Sequence, residues 1–212
     1  MIRIIGTGVL FAMAGRPREF DVEAARDAAM QLFWTQGYEA TSLNELLSAM
    51  NLSKSSFYQT FESKHVLFEQ CLARYGEILI CTMREGLATA PNSLAFIHGV
   101  LSDISNETRD PRGRRGCLMM NTAAEFAQSD PGIARCVKAG MEASQKIFAE
   151  AVATAQVDGD INSKASPQAL ADYLVTTVIG LKTQVKAGAS SKRIKNIAEL
   201  AVVALQRLAL IT

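Results

Sequence analysis

The sequence predicts an all-α fold of about nine helices, with a small three-helix helix-turn-helix unit ahead of a larger helical domain. Three observations predict it. Apolar residues recur at helical spacing along almost the whole chain, and no stretch keeps the two-residue alternation of a strand. The breaks between periodic segments fall on capping residues, glycines and prolines. A hydrophobic fraction of 49% with 20% charged residues belongs to a folded globular chain rather than a disordered one.

Taken in order, Met1–Ala14 is apolar but too short to span a bilayer, and it reads as a disordered leader with Met13 an alternative start. Asp21 caps a helix running to Gly37, with Val22, Ala25, Ala29, Leu32 and Phe33 on one face. Ser42 and Glu45 form a capping box ahead of Leu43, Leu46, Leu47 and Met50. Asn51-Leu52 reads as a turn because Asn tolerates left-handed backbone. Ser53 caps a short helix to Phe61, and Ser63 a longer one carrying Leu67, Phe68, Cys71, Leu72, Tyr75, Ile78 and Leu79. Pro91-Asn92 breaks the chain before a helix from Ser93 to Thr108, and the loop Arg109–Gly116 is the strongest punctuation. Later helices are expected over Cys117–Gln128, Asp130–Val157, Ser166–Lys186 and Ser190–Leu210. The domain division expected from this pattern is 15–65 for the helix-turn-helix unit and 66–212 for the rest.

Bulk charge says nothing about a nucleic-acid partner, because the net charge is only +1. Within residues 14–65 five cations (Arg16, Arg18, Arg26, Lys54, Lys64) even face seven carboxylates. The local arrangement is informative instead. On the second short helix Leu52, Phe57 and Phe61 lie on one side and can dock it against its neighbour. Lys54 and Tyr58, like Ser55 and Gln59, are four apart and project from the other side. That face offers a cation, a phenol, a hydroxyl and an amide without a carboxylate, which suits phosphate oxygens and base edges in a major groove. Its first turn presents free backbone N–H groups and the positive end of the helix dipole. Lys64 adds a phosphate anchor, Ser56 a second hydroxyl for base edges, and Thr41 and Ser42 could touch phosphate or simply cap.

These residues resemble the DNA-binding domain of the TetR/AcrR family of transcriptional regulators. The resemblance covers residues 15–72 and rests on Tyr58-Gln59-Thr60-Phe61, Ser63-Lys64, the stretch Phe33-Trp34-Thr35-Gln36-Gly37-Tyr38 followed by Thr41, and the basic arm Gly15-Arg16-Pro17-Arg18. Thr60 stands where the family often has His, and Asn51 where the turn often has Gly. The resemblance implies double-stranded operator DNA as partner, a homodimer, a small-molecule effector bound among the central helices, repression relieved by that effector, and a cytoplasmic setting. The arm residues Arg16 and Arg18 would lie along the minor groove.

The C-terminal two-thirds support these implications in outline. Phe96, Met119, Met120, Phe148 and Tyr173 could line an apolar pocket and Glu125 orient a polar ligand, although apolar residues at helical spacing are more often core. Val175, Val178, Ile179, Ile197, Val202 and Leu205 give the last two helices more apolar surface than one intrachain contact needs, which suggests a dimer interface. Cys117, after Arg112, Arg114 and Arg115 and at the start of a helix, could be a reactive thiol. The segment Gly116-Cys117-Leu118 resembles a branch of the family in which some members sense electrophiles or oxidants, and Lys186 is a possible further partner; a buried structural cysteine is the competing reading.

Four scattered cysteines without a C-x-x-C pair and two distant histidines, His65 and His98, form neither a disulfide framework nor a metal-ligand pattern, so no metal or cofactor is expected. No Ser/His/Asp set, nucleophile elbow or phosphate-cradling loop points to an enzyme. A helical carrier or adaptor without DNA binding is the alternative from another functional class, and the Lys54/Tyr58/Lys64 surface speaks against it.

Overall fold

The computed structural model describes residues 20–126, 129–161 and 164–207. Among these residues it contains nine α-helices: α1 (Val22–Gln36), α2 (Leu43–Met50), α3 (Lys54–Phe61), α4 (Lys64–Thr89), α5 (Ser93–Glu107), α6 (Leu118–Phe126), α7 (Pro131–Val157), α8 (Pro167–Lys186) and α9 (Ser191–Arg207). The loop read as punctuation holds a short 3-10 turn, Gly113–Arg115. The expected leader 1–14 and the arm residues Arg16 and Arg18 lie outside the described residues.

The local chemistry of the sequence sets the helix ends. Asp21 accepts hydrogen bonds from the Glu23 and Ala24 amides at 2.9 and 3.0 Å, and Gly37 ends α1 at φ 86°, a backbone that disfavours a side chain. Ser42 and Glu45 close a reciprocal capping box, and Asn51 takes the expected left-handed conformation at φ 53°, ψ 44°. Between α3 and α4 the chain makes a tight γ-turn at Glu62, whose φ is 60° and ψ −52°, with the Ser63 amide donating to the Phe61 carbonyl.

Two apolar cores follow. One gathers Phe33, Leu46, Phe57, Phe61, Phe68 and Leu72 beneath the helix-turn-helix, and extends into Leu118 and Met119 of α6 and Ile133 and Val137 of α7. The other joins Ile97 and Leu101 of α5 to Phe148 and Val152 of α7, Leu174 and Leu181 of α8, and Ile194 and Leu205 of α9. Each such fully buried side chain contributes roughly 1.5–3 kcal/mol of transfer free energy. Packing does not break at residue 65: α4 is shared, with its first turns in the first core and Met83 in the second.

Candidate DNA interface and effector cavity

Phe57 and Phe61 are buried against the first core, so the opposite side of α3 is left to solvent. Lys54, Ser55, Tyr58 and Gln59 are all exposed there, Tyr58 by 46%. The Ser53 hydroxyl caps α3 and holds the hydroxyls of Ser55 and Ser56 at 3.0 and 2.9 Å. Ser56 and Thr60 are half-buried at the edge of this strip. Lys64 starts α4, half-buried, with its ammonium 4.3 Å from the centre of the Tyr38 ring.

Two of the candidate DNA contacts are otherwise engaged. Thr41 is fully buried and donates its hydroxyl to the Gly37 carbonyl at 2.6 Å, so its side chain is removed from the DNA face. The Ser42 hydroxyl donates to Glu45 at 2.6 Å while accepting from the Glu45 amide at 3.2 Å, so it serves the cap first although it is exposed. These bonds to Ser42 also hold the Glu45 carboxyl below the usual carboxylate range.

Between α4, α5, α6, α7 and α8 lies a cavity of about 420 Å³, within the range of small-molecule sites. Of the pocket candidates, Phe96, Cys117, Met119, Met120 and Phe148 line it. Two candidates do not. Glu125 is exposed on α6, and Tyr173 faces an outer groove of α8 and α9. Three residues expected at a dimer interface, Val175, Val178 and Ile179, form the α8 wall of the cavity instead. Of the other three, Val202 and Leu205 are core, and Ile197 alone sits in the outer groove. The reason is helical phase: the richest apolar stripe turned inward, and the outward face kept Leu200 and Val203, which are 68% and 44% exposed.

Sequence reasoning missed the polar end of the cavity. Glu107 closes α5 and Lys182 lies on α8, and the two pair at 2.5 Å. Glu107 Oε2 is buried and has no hydrogen-bond partner among the described residues. A signal existed, because Glu107 continues the spacing Phe96, Val100, Asp103 and Lys182 the spacing Val175, Val178, Ile179. Both charges extend helical stripes whose other members wall the cavity.

Cys117 directly precedes α6 and is half-buried, with the Tyr75 hydroxyl donating to its sulfur at 3.6 Å. Burial, then the Cys117 thiol, push the Tyr75 phenol well above its usual range, so it stays protonated. The three arginines counted on at Cys117 have other partners. Arg112 pairs with Asp110, Arg114 donates to the Thr108 carbonyl, and Arg115 stacks 4.1 Å over Trp34 and donates to Gln31. Lys186 is near: its side chain packs on Gly116 and its ammonium donates to Asn121 at 2.7 Å. Burial pushes the Cys71 thiol up to about 12, which marks it as structural. The expectation of no metal ligands meets a group the sequence hid, since folding brings His65, Glu69 and Asp130 together across sixty-odd residues.

Comparisons with known proteins converge. The family model for bacterial regulatory proteins of the tetR family matches residues 25–71, and that for the tetracyclin repressor-like C-terminal domain matches residues 94–200. The HTH-type transcriptional repressor ComR of Escherichia coli is 29% identical over 87% of this chain and 88% of its own length. The HTH-type transcriptional repressor DhaR of a Mycobacterium species is 27% identical over 74% of this chain and 77% of its own. Among solved structures, a double cysteine mutant of the TetR-family regulator CifR with 26-base-pair operator DNA superposes with a TM-score of 0.78 at 30% identity, covering 89% of this chain and 99% of that one. No helix among the described residues is long and apolar enough to cross a membrane. The chain belongs to the TetR family, and it is a DNA-binding transcriptional regulator rather than an enzyme.

Proposed function

We propose that this regulator is a cytoplasmic homodimeric repressor whose hold on its operator weakens when a small, mainly apolar molecule occupies the cavity. The observation that carries the DNA half is the exposed, carboxylate-free strip of Lys54, Ser55, Tyr58 and Gln59 on a helix anchored from behind by Phe57 and Phe61. In this reading Lys54, Tyr58 and Lys64 hold phosphates, while Ser55, Ser56, Gln59 and Thr60 meet base edges. Arg16 and Arg18 reach the minor groove. Residues 15–65 act as the reading head and 66–212 as the sensing and pairing body.

The cavity supports the effector half. An apolar ligand gains burial against Phe96, Met119, Met120, Phe148, Val178 and Ile179. The unpaired Glu107 Oε2 at its end favours a ligand carrying one hydrogen-bond donor, since a buried carboxylate oxygen left unpaired is costly. Self-association is assigned to the outer groove of α8 and α9, where Tyr173, Gly180, Ile197 and Leu200 border exposed apolar surface. Two reading heads must sit about 34–36 Å apart to enter successive major grooves, so a ligand that prefers another spacing lowers affinity by its differential binding to the two states. The contact between head and cavity wall is short. Trp34 of α1 donates to the Gly116 carbonyl at 3.1 Å, and Gly116 adjoins Cys117.

A second reading uses the same cavity. Cys117 lines it with a phenol as hydrogen-bond partner, so an electrophile or oxidant entering there could modify the thiol and act as effector. Wild-type response to every reactive effector in Cys117→Ser would end that reading.

Binding to the DNA upstream of the protein's own coding region tests the proposal. Fluorescence anisotropy with that DNA should give specific binding that Lys54→Ala and Tyr58→Ala each weaken by about tenfold or more. Specific binding untouched by both substitutions would remove α3 as the reader.

A further inference from the structure

His65, Glu69 and Asp130 meet where α4 leaves the reading head and α7 begins. His65 and Glu69 are one turn apart on α4 and therefore share a face. Asp130 caps α7: its Oδ1 accepts from the Gly132 and Ile133 amides at 2.9 and 3.0 Å, which leaves Oδ2 for the histidine. His65 Nε2 lies 3.4 Å from Asp130 Oδ2 and 3.8 Å from Glu69 Oε1, and the three ligand atoms all lie within 4.8 Å of one another.

Those separations are informative. A nitrogen-to-oxygen hydrogen bond spans about 2.7–3.2 Å, so neither contact is one. Ligands about 2.0–2.2 Å from a tetrahedral zinc ion stand about 3.3–3.6 Å from each other, and both histidine contacts lie at or close to that spacing. Charge points the same way. Among the described residues no Lys or Arg lies within ion-pair distance of Glu69 or Asp130, so the imidazole is the one basic side chain that the two carboxylates share. The backbone makes room for them. With no Cβ at Gly132 the Glu69 carboxylate sits against the backbone there, since a Cβ would stand 2.1 Å from Oε1 and push the flexible side chain aside. The Tyr38 ring packs edge-on against the imidazole, which orients it. The three side chains are 41%, 32% and 24% exposed, enough for an ion to enter from solvent.

We propose that His65, Glu69 and Asp130 bind one divalent transition-metal cation of the zinc class, with water completing the coordination, and that this ion clamps α4 to the start of α7. One imidazole and two carboxylates suit zinc or its first-row neighbours. The clamp has a place in the regulator's mechanics. The same α4 presents Lys64 beside Tyr38, and the same α7 forms a cavity wall through Gly140, Met141, Ser144 and Phe148. An ion at this corner therefore sets how the sensing body carries the reading head.

The test titrates zinc into the metal-free, full-length protein against a chromophoric chelator, and repeats the titration with cobalt. The wild type is expected to take one ion per chain, and the cobalt form to show visible d–d bands without thiolate charge transfer. Glu69→Gln keeps the side-chain shape, and Asp130→Asn keeps a good helix cap, so both variants should fold. Each should weaken zinc binding by about tenfold or more, while Cys136→Ser, one and a half turns further along α7, should bind as the wild type does. Thermal melting gives an independent reading: zinc raises the midpoint of the wild type and leaves Glu69→Gln and Asp130→Asn unmoved. Absence of stoichiometric binding, equal binding by both carboxamide variants, a zinc shift shared by all three proteins, or a thiolate band that Cys136→Ser removes would each overturn the proposal.

Discussion

Lys54 and Tyr58 stand one turn apart on α3 and both are exposed, the phenol by 46%, so both are free to meet a phosphate backbone. Removing Lys54 should then weaken binding to specific and unrelated DNA alike and lower the slope of log affinity against log salt by about one, measured by anisotropy across a salt series. Thr41 makes the opposite case. Its hydroxyl is sealed in the fold on the Gly37 carbonyl, so Thr41→Val should destabilise the protein by about 1–3 kcal/mol in urea unfolding. Operator affinity of the folded Thr41→Val protein should stay within about twofold of the wild type, a difference of under half a kcal/mol. A large loss of affinity at unchanged stability would return Thr41 to the interface. The sequence could not separate Thr41 from its neighbour Ser42. Both are polar and both precede or begin a short helix, and only the turn at Gly37 decides which one points inward.

At the scale of the element, α2 depends on its first turn, because eight residues are too few to hold a helix by themselves. Ser42→Ala removes the side-chain half of the capping box and should cost about 1 kcal/mol of stability. The box also carries a pH signature. Glu45 has its carboxyl held down in the folded state by Ser42, so the stabilisation it brings is present above the carboxyl pKa of the unfolded chain. That stabilisation is lost as pH falls through the lower, folded value. Unfolding curves from pH 6 to pH 3 should therefore show a decline in the wild type that is shallower in Ser42→Ala, and identical slopes would mean that the box does not form in solution. Helices were legible where cap, period and terminator agree: Asp21 and Gly37, Ser42 and Asn51, Ser166 and Lys186 all fall at or within a residue of the expected ends, while the expected ends at Gln128 and Leu210 lie outside the described residues. What the period could not give is phase between helices. Val175, Val178 and Ile179 form an apolar stripe equally suited to a partner subunit or a cavity, and the choice depends on how α8 rotates against α5 and α7. Charged residues held the missing information, since Lys182 follows that stripe at helical spacing and Glu107 faces it across the cavity.

At the scale of the whole molecule, one chain offers one reading head, and a single short helix makes too few contacts to hold an operator tightly. A pair of heads at fixed spacing multiplies the affinity by making the second contact intramolecular. We assign the fixing of that spacing to the outward face of α8 and α9. Leu200 and Val203 leave apolar side chains in solvent, and a Cβ built on Gly180 meets nothing within 4 Å, so a second helix pair could approach closely there. A four-helix bundle formed by two copies would bury this face without disturbing the inward residues Leu181, Ala198 and Leu205. Leu200→Glu places a carboxylate at that face in each copy while leaving the core of the single chain intact. Light scattering at micromolar concentration should then show a dimer for the wild type and a monomer for Leu200→Glu, with an unchanged helical circular dichroism spectrum. Operator affinity should fall by about a hundredfold or more, because the second head no longer binds as part of the same body. A Val202→Ala control, which trims the buried side of α9, should lower stability but leave the dimer in place. If Leu200→Glu stayed dimeric and bound operator normally, pairing would have to use another surface, and the head spacing would need a different origin.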